Sequence, residues 1–162
     1  MLVISEKAHV SKLADIEDSV KGTRITIEDG VHIDAFVKIK PAGGLGDAYI
    51  GKGTYINSGV VIYSGNGVVI GEDVLIASNC TIAAVNHEFE AKDRRIVTQR
   101  FQPSRGGITI EDDVWIGANS VILDGAILRK GCVVGALSLV NKELEPYSIN
   151  VGSPARCIGY RK

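Results

Sequence analysis

Aliphatic residues recur along most of this chain at every sixth position. The series runs Ile27, Ile33, Ile39, then Ile50, Ile56, Ile62, then Ile70, Ile76, Ile82, and resumes as Ile110, Ile116, Ile122, Leu128, Val134 and Val140. A second position keeps step with the first. Four residues after most anchors stands a small or β-branched residue: Val31, Val37, Thr54, Val60, Val74, Cys80, Val114, Ser120, Ala126, Cys132 and Ser138. Gly follows the anchor directly in Ile50-Gly51, Ile70-Gly71, Ile116-Gly117 and Val134-Gly135. On an α-helix six steps overshoot whole turns by about 240°, so the anchors would spiral over every face. On strands six is an even number, so every anchor can point to one side. A short strand and a tight corner per hexad therefore put all anchors inside a narrow coil. Hexapeptide periodicity of this kind predicts an all-β chain wound as a parallel β-helix.

Three hexads make one coil, and 27–44, 50–67, 70–87, 110–127 and 128–145 give about five coils. Breaks in register fall around Pro41 to Gly46, at Ser64 to Gly67, and between Ile82 and Ile110. The last is a long insertion near 86–107 that carries Lys92, Arg94, Arg95, Arg100, Phe101, Pro103 and Arg105. A loop of this length inside a compact coil is usually functional. The expected organisation is a single domain over 1–162. Residues 1–26 form an irregular N-terminal cap, with degenerate anchors at Val10 and Ile16, and the tail 146–162 closes the last coil.

Composition changes the picture in two ways. Twenty Ile, 18 Val and 19 Gly stand against only 6 % aromatics, the balance a narrow core permits: aliphatics side by side, glycine at corners, little room for rings. With 45 % hydrophobic and 23 % charged residues the chain is not disordered. A net charge of −1 offers no electrostatic reason to bind nucleic acid or an anionic membrane. No apolar run reaches the ~18 residues of a membrane span, and Met1 to Lys7 lacks a signal-peptide plan, so a cytoplasmic protein is expected. Cys80, Cys132 and Cys157 are odd in number and far apart, which predicts reduced, buried thiols and neither a disulfide framework nor a zinc ribbon.

The repeat resembles that of the hexapeptide acyltransferases, and the likeness runs over nearly the whole chain from about residue 27. It implies a left-handed parallel β-helix, assembly as a homotrimer with active sites between subunits, and acetyl-CoA as cosubstrate. Within that family the chain is similar to the galactoside and maltose O-acetyltransferases. The stretch from Ile50-Gly51 through Tyr55 and Asn57 to Ile70-Gly71-Glu72-Asp73-Val74 and His87 carries the likeness. So do the block Val114-Trp115-Ile116-Gly117-Ala118 after the insertion, Val134-Gly135-Ala136, Asn141-Lys142, and the ending Gly152-Ser153-Pro154-Ala155-Arg156. An Asn-His pair before such an insertion also occurs among enzymes that decorate bacterial surface polysaccharides.

Acetyl transfer from a thioester to a hydroxyl needs a base, donors for the tetrahedral oxyanion, and two substrates held in attack geometry. Histidine suits the base because it titrates near neutral pH. His87, which ends a coil and opens the insertion, is the candidate; His32 and His9 lie elsewhere in the repeat. The expected route is direct transfer in a ternary complex with no acyl-enzyme. By resemblance Asn57 contacts acceptor or oxyanion, although an asparagine turn at a coil corner explains it equally. Trp115, Gly117 and Ala118 would line the thioester end of CoA, Gly135, Ala136, Asn141 and Lys142 its arm, and Arg156 a phosphate. Ordinary surface charge also accounts for Lys142 and Arg156, and an interface aromatic for Trp115. The galactoside enzymes place an acidic acceptor contact near Gly65, where Ser64-Gly65-Asn66-Gly67 offers no carboxylate; Tyr63, Glu88 and Asp93 are the substitutes. No metal is expected, because a zinc enzyme on this fold needs more suitably spaced histidines than the three present. Two further readings stay open. One is acetylation of an amine, on a nucleotide sugar or an antibiotic; the other is a non-catalytic β-helix used for binding or assembly.

Overall fold

The computed structural model describes residues 1–162. The hexads wind into a left-handed parallel β-helix of three faces. The first face stacks Leu2–Ile4, Ile25–Ile27, Ala48–Ile50, Val68–Ile70, Ile108–Ile110, Ile127–Leu128 and Glu143–Leu144. The second stacks His9–Val10, His32–Ile33, Tyr55–Ile56, Leu75–Ile76, Trp115–Ile116, Val133–Val134 and Ser148–Val151. The third stacks Asp15–Ile16, Lys38–Lys40, Val61–Tyr63, Thr81–Ala83, Val121–Leu123 and Leu139–Val140. Every third anchor belongs to one ladder, so Ile27, Ile50, Ile70, Ile110 and Leu128 lie over one another, as do Ile33, Ile56, Ile76, Ile116 and Val134. All of these anchors, and those of the third face from Ile39 to Val140, are at most 2 % exposed.

The corners obey a second rule. The residue three places after an anchor takes the left-handed conformation at Gly30, Gly53, Asp73, Asp113 and Gly131 on one corner, and at Phe36, Gly59, Asn79, Asn119 and Leu137 on the next. That backbone turns the chain sharply, so the residue after it can point back inside. Gly, Asn and Asp adopt it readily, whereas a larger side chain costs about 1–2 kcal/mol. The inward residue must be small because it fills the corner of a triangle. Where it is polar, the backbone satisfies it: the Thr54 hydroxyl donates to the Gly71 carbonyl and accepts from the Val74 N–H.

Two expectations are corrected. Residues 1–26 are not an irregular cap, because they contain a complete first coil paired in regular parallel register with the second. Ile4, Val10 and Ile16 keep the six-residue step, and the coil count rises from about five to six, with a partial seventh. The outermost coil has no neighbour beyond it, which leaves Ile4 39 % exposed. Cys157 is exposed, whereas Cys80 and Cys132 are buried. It lies on Arg156–Tyr160, an outer strand that returns antiparallel along Ser148–Val151 and closes the coil. Burial pushes the Cys132 thiol up to about 12. At that end Asn150 replaces an aliphatic anchor, and its carboxamide donates to the Ser148 hydroxyl at 2.7 Å.

Candidate active site

Every insertion falls at the same corner, between the third face and the first. Residues 17–24, 41–47, 64–67 and 84–107 all leave a third-face strand and re-enter a first-face strand one coil on. They therefore stack as one platform beside the coil, and the longest builds on the shorter ones. Gly65 is required there: a Cβ on it would meet Val85 Cβ at 2.7 Å and the Ala42 carbonyl oxygen at 2.8 Å.

The long insertion has a neck, a head and an anchored exit. In the neck His87 bridges Phe101 in antiparallel fashion, with Glu88 N–H donating to Arg100 O and Gln102 N–H to Asn86 O. The head is held by Gln99, whose side chain is buried although the surrounding loop is exposed. Its amide donates to the carbonyls of Ala91 and Arg94 at 2.9 and 3.0 Å, and its oxygen accepts from Ala91 N–H. A single turn of helix, Ile96–Gln99, completes the head. At the exit the buried Asp124 carboxylate accepts from the N–H groups of Arg105 and Gly107 and from the Asn66 amide.

His87 is exposed, and its Nδ1 lies 3.0 Å from the Arg100 carbonyl oxygen. A carbonyl can only accept, so Nδ1 carries the proton and Nε2 keeps its lone pair. The Phe101 ring packs on the imidazole at 4.7 Å between centroids. Arg100 adopts φ 72° and ψ −135°, a conformation that costs a non-glycine residue about 1–3 kcal/mol. Strain is stored at the residue that fixes the tautomer of the one histidine on the loop.

The remaining candidates divide between two sides of the prism. Tyr63, Glu88, Asp93, Asn141 and Lys142 accompany His87 at the insertion corner, and the Arg105 guanidinium donates to the Asn141 carbonyl. Asp93 is exposed on the turn, and Tyr63 lies in the ladder beside Ala83. Trp115 belongs to the second face; Asn57, Gly117, Ala118, Gly135 and Ala136 belong to the corner that follows it. Trp115 is half-exposed and lines a cavity with Leu75, Val133, Asp113 and Arg161. Asn57 Nδ2 donates to Ile76 O, the bond of a corner ladder, while the residue borders a groove with Tyr55, His32 and His9. Gly117 is accounted for by close stacking, since its Cβ would lie 2.5 Å from Ala136 N. Lys142 and Arg156 are exposed and form no ion pair. Within one chain none of the four main cavities contains both His87 and either Asn57 or Trp115. No cluster of side chains suits a metal ion.

Sequence reasoning passed over Arg100, Phe101, Gln99 and Asp124 as site residues. The available signal was that each break follows the third anchor of a triplet, which assigns every insertion to one corner.

Residues 107–142 match the family model described as bacterial transferase hexapeptide (six repeats). A 56-residue segment is 43 % identical to a chloramphenicol acetyltransferase of Agrobacterium fabrum, covering 35 % of this chain and 27 % of that protein. The chain thus spans about a quarter of that relative's length. Among solved structures, a mutant of AntD, an N-acyltransferase from Bacillus cereus, in complex with dTDP-4-amino-4,6-dideoxyglucose and coenzyme A, superposes with a TM-score of 0.82. It is 28 % identical over 99 % of this chain and 84 % of its own. A hexapeptide-repeat containing acetyltransferase from Vibrio cholerae superposes with a TM-score of 0.64 and is 32 % identical over 81 % of this chain and 74 % of its own. A second structure of that protein is complexed with acetyl-CoA.

Proposed function

Because the chain belongs to the hexapeptide-repeat acetyltransferases, we propose that it transfers an acetyl group from acetyl-CoA to a saccharide hydroxyl, as in the modification of a surface polysaccharide. The observation that carries this reading is the tautomer of His87, set by the Arg100 carbonyl on an exposed loop. Nε2 takes the acceptor proton as the hydroxyl oxygen attacks the thioester carbonyl carbon. The tetrahedral intermediate collapses with cleavage of the C–S bond, and the CoA sulfur leaves with the proton from the imidazolium. No acyl-enzyme forms.

The separation of His87 from Asn57 and Trp115 supports a homotrimer in which the insertion corner of one subunit faces the second-face corner of the next. In that arrangement Trp115, Gly117 and Ala118 border the thioester. Gly135, Ala136, Asn141 and Lys142 follow the pantetheine arm, Arg156 meets a phosphate, and Asn57 reaches the acceptor or the oxyanion. AntD, complexed with an amino sugar nucleotide and CoA, favours a second reading, N-acetylation of such an acceptor.

Replacing His87 by Ala is expected to lower turnover roughly 10²–10⁴-fold, with subunit mass and melting temperature near wild type. Thiol release from acetyl-CoA over a panel of sugars, nucleotide sugars and antibiotics is the assay, and near-normal turnover in the variant refutes the assignment.

A further inference from the structure

Between Ile122 and Leu128 the chain rounds the platform corner with no insertion, on the coil that follows the long loop. Asp124 stands at that corner, 5 % exposed, and no cation pairs with it. Its Oδ2 accepts from the Arg105 N–H at 2.8 Å and from the Asn66 amide at 3.0 Å, and its Oδ1 accepts from the Gly107 N–H at 2.9 Å. Asn66 also holds the loop entry, because its backbone N–H donates to the Ala84 carbonyl at 2.9 Å. Entry and exit of the insertion are thus joined through one Asn–Asp pair whose members lie 58 residues apart. Gly125 completes the fit: a Cβ there would meet Arg105 Cβ at 2.9 Å, and its N–H donates to the Gly107 carbonyl at 2.7 Å.

The path from this clasp to His87 is short. Only Val85 separates Ala84 from Asn86, and only Pro103 and Ser104 separate Gln102 from Arg105. Asn86 and Gln102 close the neck on the clasp side, and His87 faces Phe101 in the next pair. Which carbonyl lies on Nδ1 is therefore a matter of register: it is that of Arg100 only while the two ends of the loop keep their relative position. Packing alone does not enforce this, since Asp124, Asn86 and Gln102 border a cavity of ≈ 60 Å³, room for about two waters at ~30 Å³ each. The hydrogen bonds of the carboxylate do. A carboxylate accepts on both oxygens, whereas a carboxamide must turn its own donor toward one of the three N–H groups.

Resting on the acyl-transfer reading above, we infer that Asp124 is a positioning residue for the base. By pinning the loop exit against the entry that Asn66 holds, it keeps the neck in register and the Arg100 carbonyl on His87 Nδ1. Asp124 touches neither substrate in this assignment; it acts through the tautomer of His87.

The test compares full-length wild type with Asp124→Asn and Asn66→Ala. Asp124→Asn is expected to lower kcat by about 10-fold, and Asn66→Ala, which leaves two of the three bonds in place, by about threefold, with KM for acetyl-CoA within about twofold in both. Imidazole ¹⁵N spectra at about pH 8, where the ring is neutral, give a second readout. With only three histidines the His87 signals are assigned by their loss in His87→Ala. Wild type should show protonated Nδ1 and bare Nε2, and each variant a growing share of the opposite tautomer. A merely structural role would lower the melting temperature and leave kcat per folded chain and the tautomer unchanged, and that result overturns the inference. Loss of kcat with the tautomer unchanged overturns it as well. Should Asp124→Asn fail to fold, Asn66→Ala carries both readouts. If wild type transfers no acetyl group to any sugar, nucleotide sugar or antibiotic, the acyl-transfer reading fails, and the spectra still decide whether Asp124 holds the neck.

Discussion

Gly43 couples the shortest route from backbone sterics to the proposed base. It has φ +84° in the second insertion, beneath the neck of the long one. A Cβ at this position would lie 2.7 Å from Val85 Cγ2 and 3.0 Å from Phe101 Cε1, with Phe101 Cζ at 3.1 Å. Ordinary carbon contacts are about 3.5–4.0 Å, so the Phe101 ring must retreat by roughly 0.5–1 Å. That ring packs on His87, and the preceding residue supplies the carbonyl that holds Nδ1. Displacing a base by about 1 Å costs on the order of 10²-fold in rate, so Gly43→Ala is expected to lower kcat by about 10- to 100-fold. The left-handed backbone adds about 1–2 kcal/mol of strain. At about 2–4 °C per kcal/mol this lowers the melting temperature by roughly 2–8 °C. Because Gly43 and the Val85 and Phe101 side chains it would push are not among the residues proposed to line CoA, calorimetry should return an acetyl-CoA affinity within about twofold of wild type. Steady-state turnover at saturating acetyl-CoA is the assay. Adding Phe101→Leu to Gly43→Ala should recover part of kcat by opening space for the methyl group. A kcat within twofold of wild type in Gly43→Ala alone would show that the platform does not position His87, and the reasoning would be refuted.

Core truncation should follow position in the stack. Ile76→Ala, in a fully buried anchor of the middle coils, is expected to cost about 2–5 kcal/mol in urea unfolding at fixed chain concentration, and Ile16→Ala at the end coil less than half as much. Equal losses would contradict the packing gradient. Acid should weaken the chain through Glu111, whose carboxyl is held below its ordinary value of 4.5 chiefly by the hydrogen bond from Arg129. A depressed carboxyl stabilises the fold above its unfolded pKa and loses that contribution as pH falls through the lower folded value. The urea-midpoint difference between wild type and Glu111→Gln should therefore be constant at pH 6–8, shrink once pH falls below the ordinary carboxyl value of 4.5 and be lost below the lower folded one; a difference that grows in acid would have the wrong sign. A chromogenic aromatic disulfide should titrate one thiol per native chain, Cys157, and three in guanidinium, since burial keeps Cys80 and Cys132 protonated and covered. Three fast-reacting native thiols would contradict the core.

The fold and the site were legible to different degrees. Anchors six apart with small residues four places on are a local code, because each coil touches only its neighbours and every inward position meets the same triangular cavity. That code extends to Ile4, Val10 and Ile16, but partial exposure of an end coil relaxes the demand for Ile and Val, so the first coil reads as irregular. His87 and its insertion also stand out along the chain, since they interrupt a strict pattern.

The amino-acid sequence by itself determined the coil, its register and the position of the long loop, all consequences of periodicity and of steric rules that act over a few residues. Tertiary structure alone decided what that loop holds. The carbonyl that sets the His87 tautomer is thirteen residues away, the ring beside it depends on a glycine two insertions below, and Asp124 clasps the loop exit from the following coil. Backbone carbonyls and clearances carry no side-chain signature, and they become chemistry only when winding stacks four interruptions on one corner.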